Sequence, residues 1–386
     1  MNPIYQSMKT SVFERMSLAA TRNNAVNLGQ GFPDFGWPDE ILEFAARALK
    51  ENSNQYAPSR GLPALREAVA AHYQRHFSQD LAAEHVCVTS GATEALGAAI
   101  LATVEPGDEV IIFTPAYDSY APMIRRAGAT PVEVTLQPPA WRLDPEALGA
   151  AASSKTSAIL FNNPHNPAGR LFDRDELDVL AGVARQHDLI VISDEVYEHV
   201  VVPGVAHASV LGHPVLAQRS FAIFSFGKSL HATGLRIGYA VAPPALSIEL
   251  RKVHQFNTFT IATALQHAIA GYLAEKPEVF DGLAPFFDVR RRCLLAALQG
   301  TGLVPIPAQG TYFQLVDYSG CAPLAGLSDV EASMALVTRG GVATIPLSPF
   351  YREPPKMPVI RLCFAKQEAT LVEAGVRLRA FAEARP

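Results

Sequence analysis

Phe221-Ala222-Ile223-Phe224 runs directly into Ser225-Phe226-Gly227-Lys228-Ser229-Leu230-His231-Ala232-Thr233-Gly234-Leu235-Arg236. An apolar run of strand length followed by small and polar residues reads as a buried strand whose end carries a lysine. An ammonium loses hydration in such a place, which is costly. Desolvation also lowers its pKa and makes the amine a nucleophile suited to a Schiff base. Arg236, eight residues on, is a second cation and points to a nearby anion, with phosphate the natural candidate. Alone, the Ser-x-x-Lys spacing of Ser225 to Lys228 is better read as a surface lysine after a strand. Its neighbours change that reading.

Short runs rich in Val and Ile recur at 86–88, 110–113, 158–161, 189–192 and 237–242. Helical patterns fall between several of them: Leu62, Leu65, Val69 and Tyr73, then Leu177, Leu180, Val183 and Ala184. Strands that are apolar throughout and alternate with helices predict an α/β fold with a mostly parallel sheet covered on both faces. Ligands of such sheets bind beyond the carboxyl ends of the strands, so the residues following each run are the candidates. Beyond about residue 285 the pattern changes. Residues 310–316 and 359–364 read as strands, and 368–384 as a closing helix with Leu371, Ala374, Leu378 and Phe381 on one face. The expected division is a large unit over 46–285 and a smaller α/β unit over 286–386, hinged near Pro285. Residues 1–45, with Pro33 and Pro38, look too irregular to form a domain and are expected to pack on the C-terminal unit and a partner subunit.

The 386 residues suffice for a large core, and 49% hydrophobic with 18% charged residues is ordinary globular composition. A formal charge of −5 with no basic run argues against nucleic acid or an anionic membrane as partner. Cys87, Cys293, Cys321 and Cys363 lie far apart with no Cys-x-x-Cys pair, which argues against a disulfide framework and a thiolate metal site. Met1-Asn2-Pro3-Ile4-Tyr5-Gln6 opens no apolar signal segment, and the apolar runs are strand-length. The expected location is the cytoplasm.

The residues after the runs carry chemistry. Ser90-Gly91-Ala92-Thr93-Glu94-Ala95-Leu96 opens an apolar helix, whose free N–H groups and positive end suit a phosphate; a plain Ser or Thr N-cap fits equally. Ser193-Asp194-Glu195-Val196-Tyr197 sets a carboxylate beside a phenol. A helix-cap pair is the simple account. Beside a Schiff-base lysine, Asp194 could instead keep a pyridinium nitrogen protonated, with Tyr197 on the ring oxygen. Asn162-Asn163-Pro164-His165-Asn166-Pro167-Ala168-Gly169 reads as turns, from which Asn166 is assigned inward. Phe113-Thr114-Pro115-Ala116-Tyr117 offers either a core tyrosine or a ring that stacks on a flat ligand. Arg361, inside the apolar run Val359-Ile360-Arg361-Leu362-Cys363-Phe364, needs a partner, either a structural carboxylate or that of a substrate.

In this order, these segments resemble the fold-type I aminotransferases that use pyridoxal 5′-phosphate. The match runs through nearly the whole chain and includes Asn27-Leu28-Gly29-Gln30-Gly31-Phe32-Pro33-Asp34-Phe35, Asn54-Gln55-Tyr56, Gly91-Ala92-Thr93-Glu94-Ala95, Asn163-Pro164-His165-Asn166-Pro167 and the Asp194, Lys228 and Arg361 segments. Gln30 to Phe35, Gly310-Thr311-Tyr312-Phe313 and Val316-Asp317-Tyr318-Ser319 look most like the methionine and kynurenine (glutamine–phenylpyruvate) group. The resemblance implies a large domain with a mostly parallel seven-stranded sheet, a smaller α/β domain, and a homodimer with shared active sites. It implies Lys228 as the Schiff-base lysine, Asp194 on the pyridine nitrogen, Tyr197 and Asn166 on the ring oxygen, and Tyr117 stacked on the ring. Gly91, Ala92, Thr93, Ser225 and Arg236 would hold the phosphate, joined by Tyr56 of a neighbouring subunit. Arg361, Asn166 and the Gly31 backbone would receive the substrate carboxylate, with Phe32 and Phe259 near its side chain. Leu235 departs from the pattern, in which Trp usually precedes the basic residue, and Gly36-Trp37-Pro38 departs at the substrate mouth.

The expected activity is ping-pong transamination between an L-amino acid (methionine, aromatic, glutamine or kynurenine-like) and a 2-oxo acid. Cysteine-conjugate β-lyase activity is the alternative on the same scaffold, and a non-catalytic effector sensor the remote one. A serine acyl-enzyme needs Lys-Thr-Gly and Ser-Asp-Asn, neither of which occurs. Residues 254–263 contain no arginine, which disfavours a second acidic group on the substrate. His231 and His254 are read as satisfied interior histidines rather than pocket residues.

Overall fold

The computed structural model describes residues 3–6, 8, 10–51, 54–76 and 81–384. Residues 1, 2, 7 and 9 of the N-terminal segment lie outside them. The Lys228 segment leaves the middle of a seven-stranded sheet built from β1 (Val86–Thr89), β2 (Glu109–Thr114), β3 (Thr130–Thr135), β4 (Thr156–Asn162), β5 (Ile190–Asp194), β6 (Ser220–Ser225) and β7 (Gly238–Val241). Their order is β1-β7-β6-β5-β4-β2-β3. All neighbours run parallel except β7, which is antiparallel to β1 and to β6.

Side-chain alternation explains why the runs read as continuously apolar. In β6, Phe221 and Ile223 enter one hydrophobic layer and Ala222 and Phe224 the other, none more than 1% exposed. With both faces covered, every position must be apolar. The helices Pro63–His76 and Arg174–Gln186 occupy the two stretches with helical spacing. β3 is the strand the apolar runs do not mark: Thr130, Glu133 and Thr135 interrupt it because it is an edge strand, half-open to solvent.

Parallel register brings the carboxyl ends together. Asn162 of β4 stands opposite Asp194 of β5, Asp194 opposite Ile223 of β6, and Ser225 opposite Gly238 of β7. Gly238 allows the close approach of the helix Gly91–Thr103: an added Cβ would lie 2.7 Å from the Ala92 nitrogen.

The smaller unit holds a four-stranded antiparallel sheet of Val304–Pro305, Phe313–Asp317, Ile345–Pro346 and Val359–Cys363, backed by the helices Leu283–Ala297 and Glu368–Glu383. Arg361 pairs with Leu315 on one side and Ile345 on the other. The strand expected from 310 begins only at Phe313. Thr311 sits at φ +63° and its hydroxyl accepts the Phe313 N–H, so the chain turns there before joining the sheet.

The N-terminal segment is more regular than its prolines suggest. Ser11 caps the helix Val12–Arg22, which buries Val12, Met16 and Ala20, and Val26–Asn27 runs parallel to Val342–Ala343. Among the described residues, no helix is long and apolar enough to cross a membrane.

Candidate active site

One cavity of about 340 Å³ opens where the carboxyl ends of β4, β5 and β6 face the smaller sheet and the N-terminal segment. Asp194, the last residue of β5, is 5% exposed. Its Oδ2 accepts the Tyr120 hydroxyl at 2.6 Å, whereas Oδ1 has only the Val196 N–H at 3.4 Å. Burial raises its carboxyl pKa to about 6, against the pull of the Tyr120 hydrogen bond. Its backbone carbonyl accepts from the Asn162 side chain, and Asn162 in turn accepts the Asn166 N–H at 2.6 Å. The turn after β4 is thereby fixed to the end of β5.

Lys228 follows β6 after one helical turn and is half-buried against the cavity. Its Nζ donates to the Gly31 carbonyl at 3.2 Å and lies 5.8 and 5.7 Å from the ring centres of Tyr197 and Tyr312. Desolvation lowers its pKa to about 8; Cys363 and Asp194 oppose that shift, while Arg236 and Arg361 add to it. Burial pushes the Tyr197 phenol far above its usual range, so it stays protonated.

The start of the helix Gly91–Thr103 forms another wall, with Ala92 and Thr93 on the cavity. Ser90 is no side-chain cap; Glu94 instead accepts the Ser90 N–H. Gly91 has φ +73°, and an added Cβ would come within 2.8 Å of Arg236 Nη2. That closeness is what sets the Arg236 guanidinium over the helix start, with Ser225 alongside on the cavity wall.

The opposite wall comes from the smaller unit and the N-terminal segment. Arg361 is 1% exposed, donates to Asn166 Oδ1 at 2.8 Å and to the Gly29 carbonyl at 2.9 Å, and lies 3.8 Å over the Phe313 ring. Its Nε is buried without a hydrogen-bond partner. Burial pulls even this guanidinium down to about 10. Its hydrogen bonds go only to neutral oxygens, with the Asp118 carboxylate acting on it through space, which leaves room for the direct carboxylate partner of a receptor.

Of the residues named from sequence, Lys228, Asp194, Tyr197, Ala92, Thr93, Tyr117, Asn166, Ser225, Arg236, Gly31, Phe32 and Arg361 all line this cavity. Gly91 stands just behind it. Tyr56 and Phe259 do not line it; they form an edge-to-face pair 5.1 Å apart, 81% and 45% exposed. His231 and His254 also lie outside it. His254 is held by Ser59 and Glu94, and His231 stacks on Phe286, where burial lowers its pKa to about 4. The sequence reading missed Tyr120, Asn162, Gln30, Phe13, Phe313, Leu96, Val196 and Thr233 as lining residues. Asn162 ends β4, directly after the apolar run 158–161, and was within reach of that rule, whereas Tyr120 opens a helix six residues beyond β2. Phe13 lies on a helix in the segment read as irregular, with no local sign of what it faces.

The residues fit pyridoxal 5′-phosphate. The buried Asp194 carboxylate lacks a cation, which a protonated ring nitrogen supplies. The helix start with Ser225 and Arg236 forms a phosphate cradle. The Lys228 amine lines the same cavity as both features.

Comparison with known proteins agrees. The family model for aminotransferase class I and II matches residues 23–378. The methionine aminotransferase of Escherichia coli K12 is 44% identical over 98% of this chain and 99% of its own length. Human kynurenine–oxoglutarate transaminase 1 is 35% identical, covering 93% of each. A solved Escherichia coli structure described as a methionine aminotransferase superposes with a TM-score of 0.95 at 44% identity, over 98% of this chain and 99% of that one. The chain belongs to the class I and II aminotransferases, enzymes that use pyridoxal 5′-phosphate, and within them it lies near the methionine and kynurenine aminotransferases.

Proposed function

We propose that the protein moves the amino group of a neutral L-amino acid, with a thioether or aromatic side chain, to a 2-oxo acid by ping-pong alternation on one site. The observation that carries this reading is the convergence of Lys228, Asp194 and Arg361 on a single cavity. Bound there, pyridoxal 5′-phosphate supplies a carbonyl that condenses with amines and a ring that accepts the electron pair of the substrate Cα–H bond.

The chain does the rest. Asp194, ionised above about pH 6, would hold a ring nitrogen in its protonated form through Oδ1, the oxygen with only a long hydrogen bond. Tyr120 holds the other oxygen and so orients the carboxylate. Tyr197 and Asn166 would hold the ring oxygen, and Tyr117 would cover the ring; all three line the cavity. The Thr93, Ser225 and Arg236 side chains, with the helix N–H groups of Gly91 and Ala92, would hold the phosphate. Arg361 binds the substrate carboxylate and thereby aims the Cα–H bond. With its pKa near 8, Lys228 Nζ has a populated neutral form at neutral pH and carries the proton away from Cα.

The cationic side chains on the cavity are Lys228, Arg236 and Arg361, each with a role already; the rest of the substrate wall is Phe13, Gln30, Phe32 and Phe313. That lining supports an apolar side chain over a second carboxylate, and the similarity to the methionine aminotransferase of Escherichia coli supports the same class. The exposed Tyr56, Phe256 and Phe259, with Phe256 86% exposed, support a homodimer that covers this aromatic surface and lends Tyr56 to the neighbouring site.

A panel of amino donors against 2-oxo acids tests the reading. Methionine and phenylalanine should outpace aspartate, and Lys228→Ala should abolish turnover. Retained turnover in that variant overturns the assignment of Lys228. Release of pyruvate and ammonia from cysteine conjugates without an acceptor would instead mark a lyase.

A further inference from the structure

Lys366 is 3% exposed, yet it lies outside the cavity and has no part in the roles above. Its Nζ donates to the Phe32 carbonyl at 2.7 Å and sits 4.8 Å from the Phe32 ring centre. A buried ammonium is costly, and a methionine of similar length would fill the space without that cost. What the charge holds is the 29–34 loop. The Gly29 carbonyl accepts from Arg361, the Gly31 carbonyl from Lys228 and from the Tyr312 hydroxyl at 2.6 Å, and the Phe32 carbonyl from Lys366. Past these, the Asp34 carboxylate accepts the Gln367 N–H at 2.6 Å and the Thr370 hydroxyl at 2.7 Å. One segment, 361–370, therefore grips the loop at Gly29, Phe32 and Asp34. Between those grips lies the Gly31 carbonyl that meets Lys228. Gly31 itself packs so tightly on Phe313 that an added Cβ would lie 2.7 Å from Cζ, so the loop has one seating.

We propose that Lys366 is a positioning residue for the transamination, one that seats the 29–34 loop so that the Gly31 carbonyl meets the Lys228 amine and the Phe32 ring stays at the cavity wall. The proposal rests on the role given to Lys228. Arg361, which receives the substrate carboxylate in that reading, and Lys366 flank the same strand end, so substrate docking and loop seating share one support. The Gly31 carbonyl favours the ammonium form of Lys228, because an acceptor stabilises the charged donor.

The test uses the full-length chain and Lys366→Met. With pyridoxal 5′-phosphate loaded, the KM for methionine should rise roughly tenfold while kcat changes much less, since a small misplacement of a wall residue weakens substrate seating. With pyridoxamine 5′-phosphate loaded, Lys228 is a free amine. The pH midpoint of its trace acetylation, read by mass on its own peptide, should fall below the midpoint measured for the wild type loaded in the same way. Asp34→Ala, which removes the other anchor at an exposed position, should move both readouts the same way by less. It decides the matter if Lys366→Met does not accumulate as folded protein. Wild-type KM and a wild-type midpoint in the folded variants overturn the proposal. Lys228→Ala is the separate control, because turnover there would remove the reading on which the proposal rests.

Discussion

The cofactor side of the cavity takes Asn162, Asp194, Ser225 and Lys228 from the ends of three neighbouring strands, whereas the substrate side joins segments as distant as Gly29 and Arg361, 332 positions apart. The first wall is fixed by sheet register, which places side chains by backbone hydrogen bonds that every residue of the strands shares. The second is fixed by a few side-chain contacts: Arg361 on Asn166 and the Gly29 carbonyl, and Gln30 on the Phe13 carbonyl at 3.0 Å and on the Ser17 hydroxyl. In the proposed function the chemistry therefore sits on the wall that sheet register fixes. Substrate choice sits on the one that a handful of substitutions can reshape.

The comparison breaks if mutations on the two walls have the same signature. After Lys228→Ala, which should abolish turnover, Asp194→Ala should have the largest effect, lowering kcat on the order of 10³-fold through loss of the preorganised charge opposite the ring. Asp194→Asn sharpens the point through stability. The carboxyl pKa is raised by burial, from 3.8 to about 6, so in the cofactor-free protein ionisation favours the unfolded state. Its destabilisation builds as pH rises from about 4 to 6 and is complete above that window. At pH 8 Asp194→Asn should raise the melting temperature of the cofactor-free protein and lower that of the loaded protein, measured by calorimetry. A fall in both would mean that Asp194 is structural.

Arg361→Ala should come next, lowering kcat/KM on the order of 10²-fold, almost entirely through KM, with cofactor absorbance and affinity unchanged. Loss of cofactor in this variant would contradict the separation of the two walls. Phe13→Ala should have the smallest effect. It removes a half-buried ring 5.1 Å from the Arg361 guanidinium, at a cost of about 1 kcal/mol. Steady-state kinetics should give a KM for methionine roughly fivefold higher, against little change for alanine.

The same contrast explains what the sequence could tell. Asp194, Ser225 and Lys228 follow apolar runs directly, so the rule that ligands bind beyond strand ends finds them in one dimension. Asn166 and Arg361 stand out because an amide in a turn and a guanidinium in an apolar strand each need a reason. Phe13 and Phe313 carry no such mark. An aromatic beside a cavity and an aromatic in a core have the same sequence pattern, and only the packing of Val12–Arg22 onto the smaller unit separates them. The strand β3 was obscured for a related reason, since an edge strand is not forced to be apolar on both faces.

The most direct test of the central claim is borohydride reduction of the protein loaded with pyridoxal 5′-phosphate, followed by peptide mass mapping. The reduced cofactor should be fixed to Lys228 alone. Cofactor fixed to another lysine, or none fixed by protein that binds it stoichiometrically, would contradict the account.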